Sequence, residues 1–414
     1  MTGTIARKEI LANLLSYKFY VVILLAAVLV GTSLFITARD YTDRLADYSL
    51  IRPKPGEPIA VNPPNPLAIF AKGLDESMAR SFEVSPIGIT VRAGQKSGNA
   101  VFAFFPTPDF LYVVRVVLSL VALLFGFDQV SREKEGGTLR LMLANPASRG
   151  SVLLGKWLGN FASLAVPFLL VSALGIAVLS LDPAIRFSAG QSLRLALILA
   201  LSLVYIAFFL SLGILVSALT RRASSSLVIL LFVWALLVFV LPNLGTLAAR
   251  QLVDVPSVRA LSEKRQQVWT REVLLRIRGE GDWASHVKAI SAENDALEAD
   301  YRVKFDRLVA LSKNINRVSP VASFVYAATE IAGTGIGEEG AFKQDVVRYK
   351  NGLIDRTLAS PDAKAADTPA FHYAYRPLDR VLASGALFDI AWLASCGILF
   401  FALSYVAFIR YDVR

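Results

Sequence analysis

Six long apolar blocks limit what this chain can fold into. They cover residues 19–38, 109–127, 158–180, 193–217, 226–242 and 385–408. An α-helix rises about 1.5 Å per residue, so blocks of roughly 20 residues match the hydrocarbon thickness of a bilayer. Helices satisfy their own backbone hydrogen bonds there, where water is absent. The blocks therefore predict an all-α polytopic membrane protein with six transmembrane helices.

The charge composition favours a membrane protein over a nucleic-acid-binding one. Only 18% of the 414 residues are charged, whereas soluble domains carry about 25%. The net charge of +10 is expected when lysine and arginine are retained on cytoplasmic loops. No aromatic and basic surface or helix-turn-helix pattern accompanies it. We therefore expect contact with membrane lipid and no nucleic-acid partner.

The short loops set the predicted orientation. Lysine and arginine cluster before the first block, after the second, after the fourth and after the sixth, whereas the loop after the third offers only Asp182 and Arg186. The positive-inside rule then places both termini in the cytoplasm, and we expect a bacterial inner-membrane location. Residues 1–18 are predicted to form an amphipathic helix on the cytoplasmic surface, and residues 409–414 a cytoplasmic tail. The first block is expected to stay as an uncleaved anchor.

Two extracytoplasmic insertions follow from this orientation. Residues 39–108 begin with a proline-rich stretch, which indicates an extended linker, and contain a strand-like pattern at 87–91. In residues 243–384, apolar side chains recur at helical spacing between Val287 and Val318, after a shorter helical pattern at 256–278. We expect a helical hairpin. Its apolar seam could pack within the chain, the default, or against a partner.

Two glycine-rich stretches imitate nucleotide-binding motifs without their chemistry. Gly150–Lys156 spells most of a P-loop, but Trp157 stands where the hydroxyl that binds magnesium is needed. Residues 335–340 match G-x-G-x-x-G but place two carboxylates where a pyrophosphate would lie. His286 and His372 have no second ligand at metal spacing. We expect no catalytic residue, no metal site and no cofactor in this chain.

Two charged residues lie within apolar blocks. Arg115 and Asp389 stand near the predicted outer ends of the second and sixth blocks. A charge at the centre of a bilayer costs about 2.5 to 3.5 kcal/mol, but an arginine can extend its side chain to the interface. Two interpretations stay open. Either Arg115 snorkels or pairs with Asp389 for structural reasons, or these residues line a translocation path or vestibule.

The segment after the second block carries the most specific pattern. It reads Arg132-Glu133-Lys134-Glu135-Gly136-Gly137-Thr138-Leu139, followed by Pro146-Ala147-Ser148-Arg149 and Gly155-Lys156. A short polar helix with alternating charges cannot enter lipid, and it suits an oriented contact with another protein. In residues, order and position this segment resembles the cytoplasmic segment of type-2 ABC transporter permeases, where R-E-x-E-x-G-T-L precedes P-x-S-R and G-K.

The resemblance implies a role for residues 128–157 as a coupling region. In that family the segment forms a coupling helix that docks on a separate cytoplasmic ATPase, which binds the ATP and magnesium. This chain would then not be an enzyme, and it would pair with a second copy or a related sibling permease. The implied interface residues are Asp128, Arg132, Glu133, Glu135, Gly137, Thr138, Leu139 and Arg149.

The resemblance extends over nearly the whole chain, least clearly in the first insertion. It is similar to a permease subgroup with a large extracytoplasmic domain of unknown function, and to the permease of the nitrous oxide reductase maturation system. The implied function is to couple ATP hydrolysis in the partner to export or extraction of a substrate that the sequence does not identify. The alternative is a mechanotransmission complex that acts on an envelope partner without any substrate crossing. A channel or scaffold is a weaker third interpretation.

Overall fold

Six helices in the computed structural model of the chain are long and apolar enough to cross a membrane. The structure describes residues 2–78, 81–85, 88–91, 108–138, 148–359 and 368–410. Within these ranges, the six spans are Phe19–Ile51, Phe110–Glu135, Arg149–Leu179, Ala189–Leu219, Ala223–Leu252 and Leu378–Arg410. The predicted all-α polytopic fold with six transmembrane helices is confirmed.

Two of these helices continue well beyond their apolar blocks. The first span belongs to a helix that runs from Tyr17 to Ile51. The apolar block is shorter because hydropathy marks the part of a helix that lies in lipid and not the point at which the helix ends. The fifth continues through Pro242 to Leu252. A wide turn at Leu236–Val240 precedes this proline and places it in the first turn of the next segment, Leu241–Leu252. There its missing N–H is not needed.

Wide helical turns also interrupt the second and sixth spans. The second runs through Phe110–Tyr112, the π-helical turn Val113–Leu118, Ser119–Gly126 and the short helix Ser131–Glu135. The sixth runs through Leu378–Val381, the turn Leu382–Ala386 and Leu387–Arg410. Such turns occur often at functional sites.

The fourth span occupies the centre of the bundle. Its aromatic residues Tyr205, Phe208 and Phe209 are fully buried. It approaches the second span most closely where Gly126 faces Gly213, since a Cβ on Gly126 would lie 2.9 Å from the Gly213 Cα. Small residues allow such backbone contact in membranes. The second and fourth spans therefore pack with little room to slide past each other.

The first insertion contains a small antiparallel sheet with strands β1 (Ile59–Ala60), β2 (Phe82–Ser85) and β3 (Gly88–Val91), in which β2 is central. A 3-10 turn, Pro66–Ile69, and a one-turn helix, Asp75–Met78, connect the first two strands. The sheet supplies Ala60 and Val84 to a separate small core outside the spans. The rest of that core comes from the second insertion. The two insertions therefore form one folded unit, which we call the outer region, and the ends of the spans next to it are called the outer ends.

The second insertion contains the predicted hairpin and two further helices. Besides the N-terminal helix α1 (Thr2–Leu14) and the one-turn helix Asp75–Met78, the described part of the chain has four helices outside the spans, α2 (Val258–Ile277), α3 (Trp283–Asn316), α4 (Pro320–Ala332) and α5 (Ile336–Ala359). The hairpin is α2 and α3. Along its apolar seam Val287 and Ile290 are buried within the chain, whereas Phe305 and Val318 stay exposed.

Helix α4 joins the outer region to the bundle. Nearly all of its side chains are buried, and Phe324 stacks on Tyr205 of the fourth span with ring centroids 4.1 Å apart. The fifth span also meets α3, because Gly245 lies directly against the Asn316 side chain and leaves no room for a Cβ. The outer region is thus packed directly onto the outer ends of the spans.

A histidine closes the tip of the hairpin. The His286 Nδ1 lies 3.0 Å from a Glu272 carboxylate oxygen, and its Nε2 lies 2.6 Å from the Glu280 carbonyl oxygen. Both neighbours are acceptors, so a ring that carries both protons satisfies both contacts. The hydrogen bond to Glu272 raises the pKa of His286 against the effect of desolvation, and the Glu280 carbonyl and the Asp282 charge add to it. In turn, the pKa of Glu272 is lowered, mainly by His286 and also by Arg271.

This contact predicts a pH-dependent hairpin tip. Because the folded pKa of His286 is raised, its contribution is complete below the ordinary value of about 6.5 and is lost as pH rises through the folded value. The contribution of Glu272 is lost instead as pH falls through its lowered pKa. Amide exchange protection at the tip, corrected for intrinsic rates, should therefore decrease above neutral pH. A His286→Asn variant should be poorly protected with no such alkaline step, and an equally flat wild-type profile would contradict the assignment.

Candidate functional site

The short helix Ser131–Glu135 lies at the end of the bundle that also holds α1, which we call the inner end. It is tied to the end of the fourth span. The Ser131 N–H donates to the Ser217 hydroxyl at 3.0 Å, and the Lys134 ammonium donates to the Thr220 carbonyl at 3.3 Å. These bonds satisfy backbone groups that the end of a helix leaves open. The short helix is thus held on the bundle.

The two carboxylates expected at the interface are bonded within the chain. Glu133 lies 2.7 Å from the Lys156 ammonium of the third span, which also lies 3.3 Å from Glu9 of α1. Glu135 accepts the backbone N–H of Ala223, the first residue of the fifth span, at 3.2 Å. Lys156 is almost fully buried, and breaking such a pair is strongly destabilising. Glu133 therefore holds the short helix against the third span, and Glu135 holds it against the fifth.

Other predicted interface residues remain available to a partner. The Arg132 side chain is 79% exposed, and it makes a surface ion pair of 3.6 Å with Asp128 one turn earlier. Gly137 and Thr138 are exposed as well. Leu139 lies outside the described residues. Arg132, Gly137 and Thr138 are therefore accessible to a partner at the inner end.

The third span also contacts helix α1 and the end of the sixth span. Helix α1 packs on Gly159, where a Cβ would lie 2.6 Å from the nearest atom of α1. Asn13 of α1 donates to the Asn160 side chain at 2.9 Å. Arg149, another predicted interface residue, donates to the Ile409 carbonyl of the sixth span at 2.6 Å. Helix α1 and the last turn of the sixth span thus lie at the inner end, beside the short helix.

At the outer end, Asp389 pairs with Arg317, the residue that directly follows α3. The carboxylate is fully buried, and Arg317 donates to its two oxygens at 2.6 and 3.0 Å. The Arg115 guanidinium instead lies over the Tyr112 ring, 5.3 Å from its centroid, and its Nε has no hydrogen-bond partner among the described residues. The proposed pairing of Arg115 with Asp389 is therefore wrong. The role of these residues in a translocation path stays a prediction.

Sequence reasoning missed Arg317 because 72 positions separate it from Asp389. A charged residue in a polar helix of an insertion carries no signal of a partner within a span. The only available signal was Asp389 itself, since a carboxylate in an apolar block needs a cation nearby.

The contact between Arg317 and Asp389 begins a chain of buried ion pairs. Lys313 lies 3.9 Å from Asp389 and 4.0 Å from Glu330. Arg376 then joins Glu330 at 2.8 Å to Glu338 at 2.9 Å. This outer ion-pair chain connects the sixth span, α3, α4 and α5. In the low-dielectric surroundings of buried groups, such contacts keep their partners at fixed distances.

Two further contacts extend the outer ion-pair chain. Arg194 of the fourth span donates to the Ile331 carbonyl of α4 at 3.0 Å. The backbone N–H of Gly337 donates to a Glu330 carboxylate oxygen at 2.9 Å. The glycines of the G-x-G-x-x-G stretch therefore let α5 begin directly against a carboxylate. A pyrophosphate would meet that negative charge.

A family model described as ABC-2 family transporter protein matches residues 4–413. The chain belongs to the ABC-2 transporter family. Two curated relatives are each described as probable ABC transporter permease protein NosY. The one from Stutzerimonas stutzeri is 36% identical over 103 residues, or 24% of this chain and 37% of the relative. The one from Pseudomonas aeruginosa is 32% identical over 108 residues, or 25% and 39%. The match thus spans under two-fifths of each relative.

Family membership confirms the resemblance that the segment after the second span indicated. The family model covers both insertions of this ABC-2 protein as well as its six spans. This ABC-2 protein is therefore a multi-pass membrane protein, and the matched residues include all six of its spans.

Removal of one charge from the outer ion-pair chain should destabilise this ABC-2 protein. An Asp389→Asn substitution leaves the Arg317 cation without its counter-ion, and breaking a buried pair costs about 3 to 5 kcal/mol. The apparent unfolding temperature in detergent should decrease clearly. Asp300→Asn is the matched control, because Asp300 forms an exposed pair with Lys304 at 2.7 Å, worth under about 1 kcal/mol. Equal unfolding temperatures for the two variants would contradict this assignment.

Proposed function

We propose that the chain is the permease subunit of an ABC transporter in a bacterial inner membrane, with both termini in the cytoplasm. It receives ATP-driven motion from a separate cytoplasmic ATPase and couples it to export or extraction of a substrate. The observation that carries this proposal is the short charged helix Ser131–Glu135, which is fixed on the inner end and exposes Arg132. The family membership and the names of the relatives support the same role.

The contacts at the inner end suit the transfer of force. The short helix is bonded to the third span through Glu133 and Lys156, to the fourth through Ser131 and Ser217, and to the fifth through Glu135. A partner that displaces this helix has to move those span ends with it, because separating the buried pair is unfavourable. Rigid-body movement of packed helices is a common way for such a switch to act.

The partners follow from this assignment. ATP and magnesium bind the ATPase, and hydrolysis takes place there and not in this chain. A second permease, either a copy of this chain or a related sibling, completes the complex. Glu133 and Glu135 belong to the coupling site as residues that hold the short helix, whereas Arg132 and Thr138 contact the ATPase.

Charge reversal at Arg132 should separate the docking contact from folding. Arg132→Glu reverses the charge at the proposed docking contact and places a carboxylate beside Asp128. The variant should therefore bind the ATPase about tenfold more weakly, equivalent to about 1.4 kcal/mol. Arg259→Glu is the matched control in the outer region. Arg259 is 88% exposed and also pairs with a carboxylate four residues away, Glu263 at 3.0 Å. Co-purification with the ATPase and stimulated ATP hydrolysis are the measurements.

The two variants should differ. Arg259→Glu should behave as wild type, because its site lies on the opposite side of the membrane from the ATPase. If both variants retained full ATPase binding, Arg132 would not be a docking residue. Glu133→Lys is less informative, since it also removes the internal pair with Lys156.

A second candidate function is mechanotransmission to an envelope partner, favoured by the outer ion-pair chain. The outer ion-pair chain joins the sixth span to the C-terminal end of α3, a helix of 34 residues that extends about 51 Å. Movement of the spans would then displace the hairpin tip without any substrate crossing.

Spin labels at Ile277, an exposed position near the tip, test this second function in a complex with two copies of the chain. Transmission predicts that the distance between the two tips changes between the ATP-bound and nucleotide-free states. The matched control carries the labels at Arg186, in the short outer loop between the third and fourth spans. A tip distance that stays constant throughout the ATPase cycle argues against transmission and leaves export as the function.

A further inference from the structure

A cavity of about 480 Å³ opens in the outer region, beside the helical hairpin. Helices α2 and α3 form two of its walls, and α5 and β3 contribute one residue each. Its volume lies within the range of sites that bind small molecules, about 300 to 1,000 Å³. Neither the coupling site nor the outer ion-pair chain contributes residues to it.

The charges of the cavity cancel within its own walls. Arg265 of α2 donates to Glu298 of α3 at 2.6 Å. Lys350 of α5 forms an ion pair with Asp295 of α3, and Lys350 is almost fully buried. An added anion or cation would have to compete with a partner that is already in place. The walls therefore favour a ligand without net charge.

The uncharged side chains in the walls offer hydrogen bonds beside apolar surface. Ser262 and Gln266 of α2 are exposed, and both can donate and accept. One turn further along α2, the indole of Trp269 is half-buried, and Ile290 of α3 is a buried apolar residue in the same lining. An aromatic ring provides a large rigid surface at a low entropic cost. The cavity thus presents a flat apolar surface next to amide and hydroxyl groups.

We propose that this cavity binds an uncharged saccharide. A sugar ring has a face of C–H groups, which suits the Trp269 indole, and a rim of hydroxyls, which suits Gln266 and the paired carboxylates Asp295 and Glu298. A hydroxyl can bond to these carboxylates without displacing their cations, since each carboxylate accepts several hydrogen bonds. The proposal concerns the outer region alone and does not depend on the coupling role of the inner end.

Calorimetric titration of the full-length protein in lipid nanodiscs tests the proposal. Nanodiscs are required because the headgroups of glycoside detergents are themselves saccharides. The probes are neutral trisaccharides of glucose and of N-acetylglucosamine, and a neutral capped tripeptide. At least one trisaccharide should bind, and Trp269→Leu should weaken this binding at least tenfold.

Trp283→Leu is the matched control for the indole. Trp283 is also partly exposed, at the hairpin tip outside the cavity, and this variant should bind the trisaccharide as wild type does. Gln266→Ala tests the polar side of the cavity and should weaken binding several-fold, without the loss of an aromatic side chain from the fold. Unchanged amide exchange in α2 shows that a variant is folded.

Three outcomes would overturn the proposal. One is that neither trisaccharide binds the wild-type protein. Another is that Trp269→Leu and Trp283→Leu weaken binding equally. The third is that the capped tripeptide binds in a Trp269-dependent manner and the trisaccharides do not, which would assign the cavity to peptides.

Discussion

The absence of water from the bilayer core is the constraint on which the rest of this structure depends. Backbone groups in lipid have to bond within their own helix, and charged groups have to pair or stay at the membrane surface. The chain places buried ion pairs at the two ends of the bundle. Lys156 lies between Glu133 and Glu9 at the inner end, and Arg317 holds Asp389 at the outer end. These are the places where parts outside the lipid are attached.

Between these two ends, the bundle is suited to moving as packed bodies. The fourth span touches the second at Gly126 and Gly213, and its Tyr205 stacks on Phe324 of the outer helix α4. Close-packed interiors transmit displacement because they contain few voids that could absorb it. In the proposed function, motion received by the short helix Ser131–Glu135 would have a continuous path to the outer region. The same path would serve export or mechanotransmission.

The candidate coupling site could be located from the sequence, but the direction of its side chains could not. The alternating charges from Arg132 to Glu135 indicated a polar contact surface, and the resemblance implied that Arg132, Glu133 and Glu135 face a partner. In the fold, Glu133 turns towards Lys156, whereas Arg132 extends into solvent. A helix of five residues has too few positions to show a period from which an inner and an outer face could be told apart.

The sequence by itself determined the six spans, because lipid imposes length and hydropathy on each span separately. Local patterns also indicated the predicted orientation, the hairpin and the segment that resembles the family. Only the tertiary structure decided which charges meet. Arg317 and Asp389 are distant in the chain and belong to a polar helix and an apolar span. The burial of α4 against the fourth span and the cavity beside Trp269 depend in the same way on how separate helices pack. A local sequence pattern indicates whether a segment lies in lipid or in water. Whether two distant charges meet depends instead on how the chain folds between them.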